Sequence, residues 1–206
     1  MFLLGVFWGA DKATSAMVLL EQTWANLRRC YRLESLRAPL PDRRFDELAE
    51  RLRTIFEDRR YAVYKRVFSQ DRRPAKRLQV KPRIVLAAAG AATDVVDALR
   101  ARQLPVECVI RRDQNGWEKY DYDRICLGHN YRVNREILVE CLATVARENR
   151  LHFPAGDLEP LMPVAALRTA DLPDSGCPTG GACLALAAAV WFSETVKSLK
   201  RYGQAG

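Results

Sequence analysis

Two kinds of side chain in this sequence could do chemistry: a scattered set of metal- or proton-handling groups, and one dense run of cations. Cysteines stand at positions 30, 108, 126, 141, 177 and 183, and histidines at 129 and 152. No two cysteines are spaced Cys-x-x-Cys, and neither histidine lies at ligand spacing from them. The thiols therefore read as reduced, small apolar residues rather than as zinc ligands. An even count would permit disulfides, but nothing else in the sequence suggests secretion. His129 has no partner identifiable from sequence for general-base work and reads as an ordinary polar histidine. Asp94 and Asp97 are three residues apart on an expected helix, a spacing that can bring two carboxylates together. The plainer reading makes Asp94 a first-turn acid and Asp97 a solvated one. No Gly-x-x-x-x-Gly-Lys motif cradles phosphate, so this chain carries no ATPase motor of that type.

The cations are concentrated. Between Arg59 and Arg83 lie Arg59, Arg60, Lys65, Arg66, Arg72, Arg73, Lys76, Arg77, Lys81 and Arg83, against the single acid Asp71. That segment of 25 residues has a charge of +9, whereas the other 181 carry 23 basic and 24 acidic side chains. The positive field of the whole chain, +8, thus originates in one place. Tyr61, Tyr64 and Phe68 are interleaved with the cations, a mixture that suits a phosphate backbone with stacked bases. Arginine outnumbers lysine seven to three here, which favours bidentate phosphate contacts. The competing reading is a solvated hairpin whose charge aids solubility.

Several elements must position these groups. Residues 2–8 are nearly all apolar, as in a central strand buried on both faces. Gly9–Ala13 reads as a turn, Ser15–Glu21 as a returning strand, and Arg29–Arg37 as a third strand with one wetter face. After Asp42, a good N-cap, the apolar residues Phe45, Leu48, Leu52, Ile55 and Phe56 mark one face of a helix over 43–59. Tyr61–Phe68 is expected to be extended and Ser69–Pro82 a loop. Arg83–Ala89 reads as a strand, Ala92–Gln103 as a helix, and Pro105–Arg111 as a strand. The stretch 113–130 is polar, aromatic and gives no clear pattern; Asn115-Gly116 signals only a tight turn. Asn134 caps a helix to Asn149, Leu151–Phe153 is extended, and Leu158–Thr169 reads as a helix. A Pro/Gly-rich loop over 172–181 leads to a last helix from Ala182 to Tyr202. The order predicts one α/β domain over 1–206, with a mixed sheet and a basic insertion at about 59–83.

The apolar opening has no preceding basic residue and no small-residue cleavage site, so it reads as a strand rather than a signal peptide. The run Ala182–Phe192, at 11 residues, is far shorter than the roughly 20 needed to cross a bilayer. We expect a soluble, cytoplasmic protein with no membrane partner.

Four strings carry a resemblance. Gly5-Val-Phe-Trp-Gly9, followed by Thr14-Ser-Ala-Met-Val-Leu-Leu20, resembles the first strand and hairpin of the nuclease domains of phage terminase large subunits. Those domains belong to the ribonuclease H-like superfamily and read Gly-Val-Asp-x-Gly there. Arg83-Ile-Val-Leu-Ala-Ala-Ala-Gly90, with Val95–Arg100 and Leu104-Pro-Val106 behind it, is similar to their second motif, an apolar run ending Asp-x-x-Gly. Val133–Leu138 with Asn149-Arg-Leu151 is similar to the helix that follows. Thr179-Gly-Gly-Ala-Cys-Leu-Ala-Leu-Ala-Ala-Ala-Val-Trp191 resembles the last motif, commonly His-Asp-Asp before an Ala/Leu-rich helix. The resemblance spans about residues 5–192. It implies a ribonuclease H-like mixed sheet, three antiparallel strands and then parallel strands, flanked by helices.

The departures decide what the resemblance implies for function. The family's acidic positions fall on Phe7, Ala87, Gly180 and Gly181, where no carboxylate remains. Its chemistry uses two magnesium or manganese ions about 4 Å apart, held by oxygen ligands that these side chains do not supply. The expectation is therefore a pseudo-nuclease with no catalytic residues, no metal and no cofactor, phage- or prophage-related. Its expected partner is nucleic acid, DNA favoured and without sequence specificity, bound by Arg59, Arg60, Lys65, Arg66, Arg72, Arg73, Lys76, Arg77 and Lys81. A second reading is a structural or regulatory module that binds a protein partner or forms a homo-oligomer. A third is a nuclease whose metal site is rebuilt from Asp11, Asp94, Asp97, Asp171 or Asp174. Phe7, Trp8 and Ala87–Ala89 would make the former cleft floor apolar, filled by its own side chains.

Overall fold

Alternation and burial along the first strand set the architecture. A computed structural model describes residues 1–8, 15–38, 45–67, 76–88, 93–112, 117–120, 129–154 and 180–196. Within these, 64–67, 76–78, 88, 93, 110–112 and 117–120 are described at the level of the backbone. Strand β1 (Phe2–Trp8) has Leu3, Leu4 and Val6 fully buried, so successive side chains feed cores on both faces of the sheet.

Strands β2 (Ala16–Ala25) and β3 (Arg28–Arg37) follow, then helix α1 (Phe45–Glu57) and a 3-10 turn, Arg59–Tyr61. The chain continues through β4 (Val63–Val67), β5 (Lys76–Val80), β6 (Arg83–Ala88), α2 (Thr93–Ala101), β7 (Val106–Arg112) and β8 (Trp117–Tyr120). It ends in β9 (Asn130–Asn134), α3 (Arg135–Arg147), β10 (Leu151–His152), α4 (Gly181–Trp191) and a π turn, Phe192–Val196.

Eight of the strands form one mixed sheet in the order β10-β3-β2-β1-β6-β7-β9-β8. β1, β2 and β3 are antiparallel neighbours, while β1–β6, β6–β7 and β7–β9 pair in parallel. β4 and β5 form a separate two-stranded antiparallel ribbon. Helices cover both faces. On one, Leu3, Val18, Leu20, Val85 and Val109 meet Leu138 and Leu142 of α3 and Ala185, Leu186 and Trp191 of α4. On the other, Leu4, Val6, Leu19, Ile84 and Leu86 meet Leu48 and Leu52 of α1 and Val96 and Leu99 of α2. Among the described residues, no helix is long and apolar enough to cross a membrane.

Helix α4 is apolar all round and buried at every position but Leu184, as a helix enclosed by a core must be. Its alanines let it lie directly on the sheet. A Cβ built on Gly5 would collide with the carbonyl oxygen of Ala185 and stand 2.9 Å from Val18 Cγ2. Asn134 caps α3 as expected, its side chain accepting the Glu136 N–H at 2.8 Å.

Three expectations need correction. Residues 69–82 are not all loop, because Lys76–Val80 forms β5; Leu78 and Val80 alternate with polar residues, a pattern masked by the surrounding cations. The unpatterned stretch 113–130 contains β8 and the start of β9. The last helix starts one residue early at Gly181, and its α-helical part ends at Trp191 in the π turn instead of continuing. The expected turn 9–13, the Asp42 cap, the helix 158–169, most of the loop 172–181 and residues beyond 196 lie outside the described residues.

The Gly5 contact makes a prediction. Gly5→Ala should destabilise the fold by about 1–3 kcal/mol, because the helix must lift off the sheet. Gly180→Ala, where an added Cβ meets nothing within 4 Å, should stay within about 1 kcal/mol of the parent. Urea unfolding of the two variants checks the contrast.

Candidate functional site

Two of the positions singled out as possible former ligand sites come together. Phe7 and Ala87 are Cα partners in the parallel β1–β6 register, near the C-terminal ends of both strands. Ala87 is 5% exposed and belongs to the α4-side core, with Phe7 packed against it; Ala182 and Cys183, from the first turn of α4, join the same cluster. Gly181 is buried and Gly180 exposed. The Phe7–Ala87 pair therefore makes a floor of benzyl and methyl groups. Trp8 does not share it: alternation sends its ring to the opposite face, against the α1–α2 core, which corrects the expected cleft floor.

Asp94 and Asp97 cannot rebuild a metal site on that floor. Both are exposed on α2, and α2 lies on the other face of the sheet. Asp94 sits in the first turn of its helix, where negative charge is favourable. Asp11, Asp171 and Asp174 are outside the described residues, as are Arg72 and Arg73. Among the described residues, no three His, Cys, Asp or Glu side chains are grouped to hold a metal ion.

The basic segment becomes the β4–β5 ribbon and its root. In register, Arg66 faces Arg77, Lys65 faces Leu78, and Val67 faces Lys76. Strand alternation therefore places positions 64, 66, 77 and 79 on one face of the ribbon and 65, 76 and 78 on the other. The root is pinned by aromatic contacts. Tyr61 meets Phe2 edge-on with ring centroids 5.2 Å apart, and Lys81 Nζ lies 4.5 Å from the Phe56 ring centroid. Tyr61 is thus an anchor rather than a base-stacking surface.

Not every cation in the segment is equally available. Arg60 is held by Asp58, with donations from Nε at 2.8 Å and Nη2 at 2.6 Å; the same contacts hold the Asp58 carboxyl below its usual range. Arg83 lies 3.5 Å from the buried Glu107, which also accepts the His129 backbone N–H at 2.9 Å. Arg59 is exposed. The root stands at the start of β1 and β6, since Leu3 pairs with Arg83, whereas the Phe7–Ala87 floor is at the far end of the same strands.

A polar cluster not foreseen from sequence ties α4 to the β3 side of the sheet. Tyr31 donates from its hydroxyl to Glu194 Oε1 at 2.6 Å, and Arg150 Nη1 donates to the same oxygen at 2.9 Å. Arg29 Nη1 donates to the Glu194 carbonyl at 3.2 Å, and Ser193 Oγ donates to Gln22 at 2.9 Å. Burial, and then the Glu194 charge, push the Tyr31 hydroxyl well above the usual tyrosine range. These partners lie more than a hundred residues apart in sequence for Tyr31 and Arg29, so no local spacing announces them.

Four cysteines are within the described residues, and all are free thiols, as expected: Cys30, Cys108, Cys141 and Cys183. Cys126 and Cys177 are outside them. Burial pushes Cys108 and Cys141 up to about 12 and Cys183 up to about 11.

The chain matches no protein-family model, no curated protein and no solved structure.

Two outcomes follow. A thiol whose folded pKa is raised favours the protonated native state, and that contribution is lost as pH climbs from the ordinary thiol value of 9 toward 11–12. Stability should therefore fall across that alkaline window, and the fall should shrink in Cys108→Ala, as read by urea midpoints against pH. Glu194→Gln should cost about 1–3 kcal/mol, because mostly buried Arg29 loses its counter-charge and Arg150 keeps only Glu148; a thermal melt measures it.

Proposed function

We propose that this chain is a catalytically inactive protein of the ribonuclease H-like, terminase-nuclease type, phage- or prophage-related, that binds nucleic acid through its basic ribbon. The observation that carries the binding is the concentration of charge: a +9 segment in an otherwise near-neutral chain, whose strands β4 and β5 pair in a ribbon separate from the main sheet. A duplex or single strand offers closely spaced phosphates, and clustered arginines and lysines bind them by displacing condensed counterions. DNA is the favoured polymer, and binding is independent of sequence.

The fold supports the scaffold reading. Its central strand order, β3-β2-β1-β6-β7, with three antiparallel strands followed by parallel ones, is compatible with a ribonuclease H-like sheet. The inactivity reading rests on the apolar floor. Phe7, Ala87 and the Gly180–Gly181 pair offer no side-chain oxygen to a hard divalent cation. Exposed Asp94 and Asp97, on the opposite face, weigh against a relocated centre.

Fluorescence anisotropy with labelled single- and double-stranded DNA and RNA, across salt and with manganese present, tests both halves. Affinity should fall steeply with salt, log K changing by about −0.7 to −0.9 per phosphate neutralised for each tenfold rise in salt. Changing Arg72, Arg73, Lys76 and Arg77 to Glu should lower it at least about tenfold. The oligonucleotides should remain intact. Salt-insensitive or absent binding would count against the reading. A stable dimer without affinity for nucleic acid would favour a protein-interaction module, and manganese-dependent cleavage lost in Asp94→Asn or Asp97→Asn would favour a nuclease.

A further inference from the structure

The β2–β3 hairpin runs past its neighbours. β1 pairs with β2 only as far as Phe2–Glu21, with Met1 and Gln22 joined by backbone hydrogen bonds, and β10 pairs with β3 only at Tyr31 and Arg32. Thr23–Cys30 therefore projects beyond the sheet as a two-stranded tip, closed by Asn26 and Leu27 between paired Ala25 and Arg28. Both closing residues have positive φ, 49° and 63°, as a type I′ hairpin turn requires.

Leucine is an unusual choice at that second position. Glycine is favoured there, and a branched side chain in the left-handed region is strained. Leu27 is also 95% exposed, so its side chain gains little from the folded chain that would offset the strain. Trp24, three residues before it, is 52% exposed. These two are the exposed large hydrophobic residues among those described, and they share one hairpin tip.

Charge narrows what could meet them. From Gln22 to Leu33 the chain has three arginines and no acid. Arg29 is held by Glu194 and Arg32 by the flanking Glu21 and Glu34, so Arg28, with a single surface pair, is the cation offered to a ligand. Arg29 lies beneath the Trp24 ring, its Cζ 5.2 Å from the centroid. The Arg28 side chain is 65% exposed, and its 3.3 Å ion pair with Glu148 is a surface one, worth little and readily exchanged for phosphate. The tip lies at the same end of the sheet as the ribbon root, because β2 ends where β1 and β6 begin.

The geometry points to a second nucleic-acid contact at this tip: Trp24 stacks on an unpaired base, Leu27 packs beside it, and Arg28 takes the adjoining phosphate. The polymer is single-stranded, because a base already stacked in a duplex has no free π-face for an indole. This contact rests on the nucleic-acid reading above and adds a polymer preference to it. The ribbon supplies the salt-dependent phosphate attraction, and the tip supplies stacking, which salt scarcely screens.

The test uses the full chain with labelled oligothymidylate and a matched duplex. Trp24→Ala should weaken single-strand binding on the order of tenfold, leave duplex binding nearly unchanged, and keep the parent's salt slope. Leu27→Gly should raise the unfolding midpoint, by relieving the turn, while lowering single-strand affinity; a merely structural residue would not separate these two readouts. If Trp24→Ala binds oligothymidylate like the parent while the ribbon variant has lost binding, the tip contact is overturned and the ribbon reading stands. If the ribbon variant binds like the parent while Trp24→Ala does not, the tip stands and the ribbon falls. A parent that binds no nucleic acid overturns both. A parent dimer split by Trp24→Ala, with oligonucleotide affinity unchanged, makes the tip a protein contact and overturns the proposal.

Discussion

The arrangement depends on how closely α4 approaches β1. Gly5 lacks a side chain, and the facing turn of the helix is alanine-rich, so the Ala185 carbonyl sits against the strand backbone. Contact this close removes the room that a larger pair would need and fixes the height of the helix over the sheet. The π turn that continues the helix reaches Tyr31 on β3 through Glu194. The π turn adds a residue to the last turn, a local change of helical phase that accompanies the delivery of Glu194 to Tyr31 and Arg150. One short contact thus sets both the apolar floor and the buried polar cluster.

Charge is partitioned with similar economy. Two mostly buried guanidiniums, Arg29 and Arg150, converge on one carboxylate, and Glu107 takes Arg83 and a backbone N–H. Pairing makes burial of these groups tolerable. The excess of cations is concentrated in the sequence of the ribbon segment. The apolar floor and the cationic root lie at opposite ends of β1 and β6, so the two features belong to different surfaces.

Much of this organisation was legible in the chain. The all-apolar β1, the helical stripe Phe45–Phe56 and the Asn134 cap each have a local physical signature, and each forms the element that its signature implies. The pairing of Phe7 with Ala87 was implicit in two separate strings and became a register only when the parallel strands were aligned. What stayed hidden depends on distance or on context. β5 is short and crowded with cations, and β8 gains its definition from pairing with β9. Trp8 and Phe7 look equivalent in sequence, yet alternation divides them between two cores. The Glu194 cluster joins residues from both ends of the chain, and Asn-Leu at 26–27 lacks the glycine that usually marks a hairpin.

The two rims of the main sheet are both abbreviated. β10 contributes two residues beside a ten-residue β3, and β8 contributes four beside β9. An unpaired strand margin is a template for another chain, and the shorter its ordered length, the fewer backbone hydrogen bonds a second molecule can add. On the β8 rim, four residues leave little backbone for lateral growth, whereas β10 covers only Tyr31 and Arg32, so the rest of the β3 margin has no partner among the described strands.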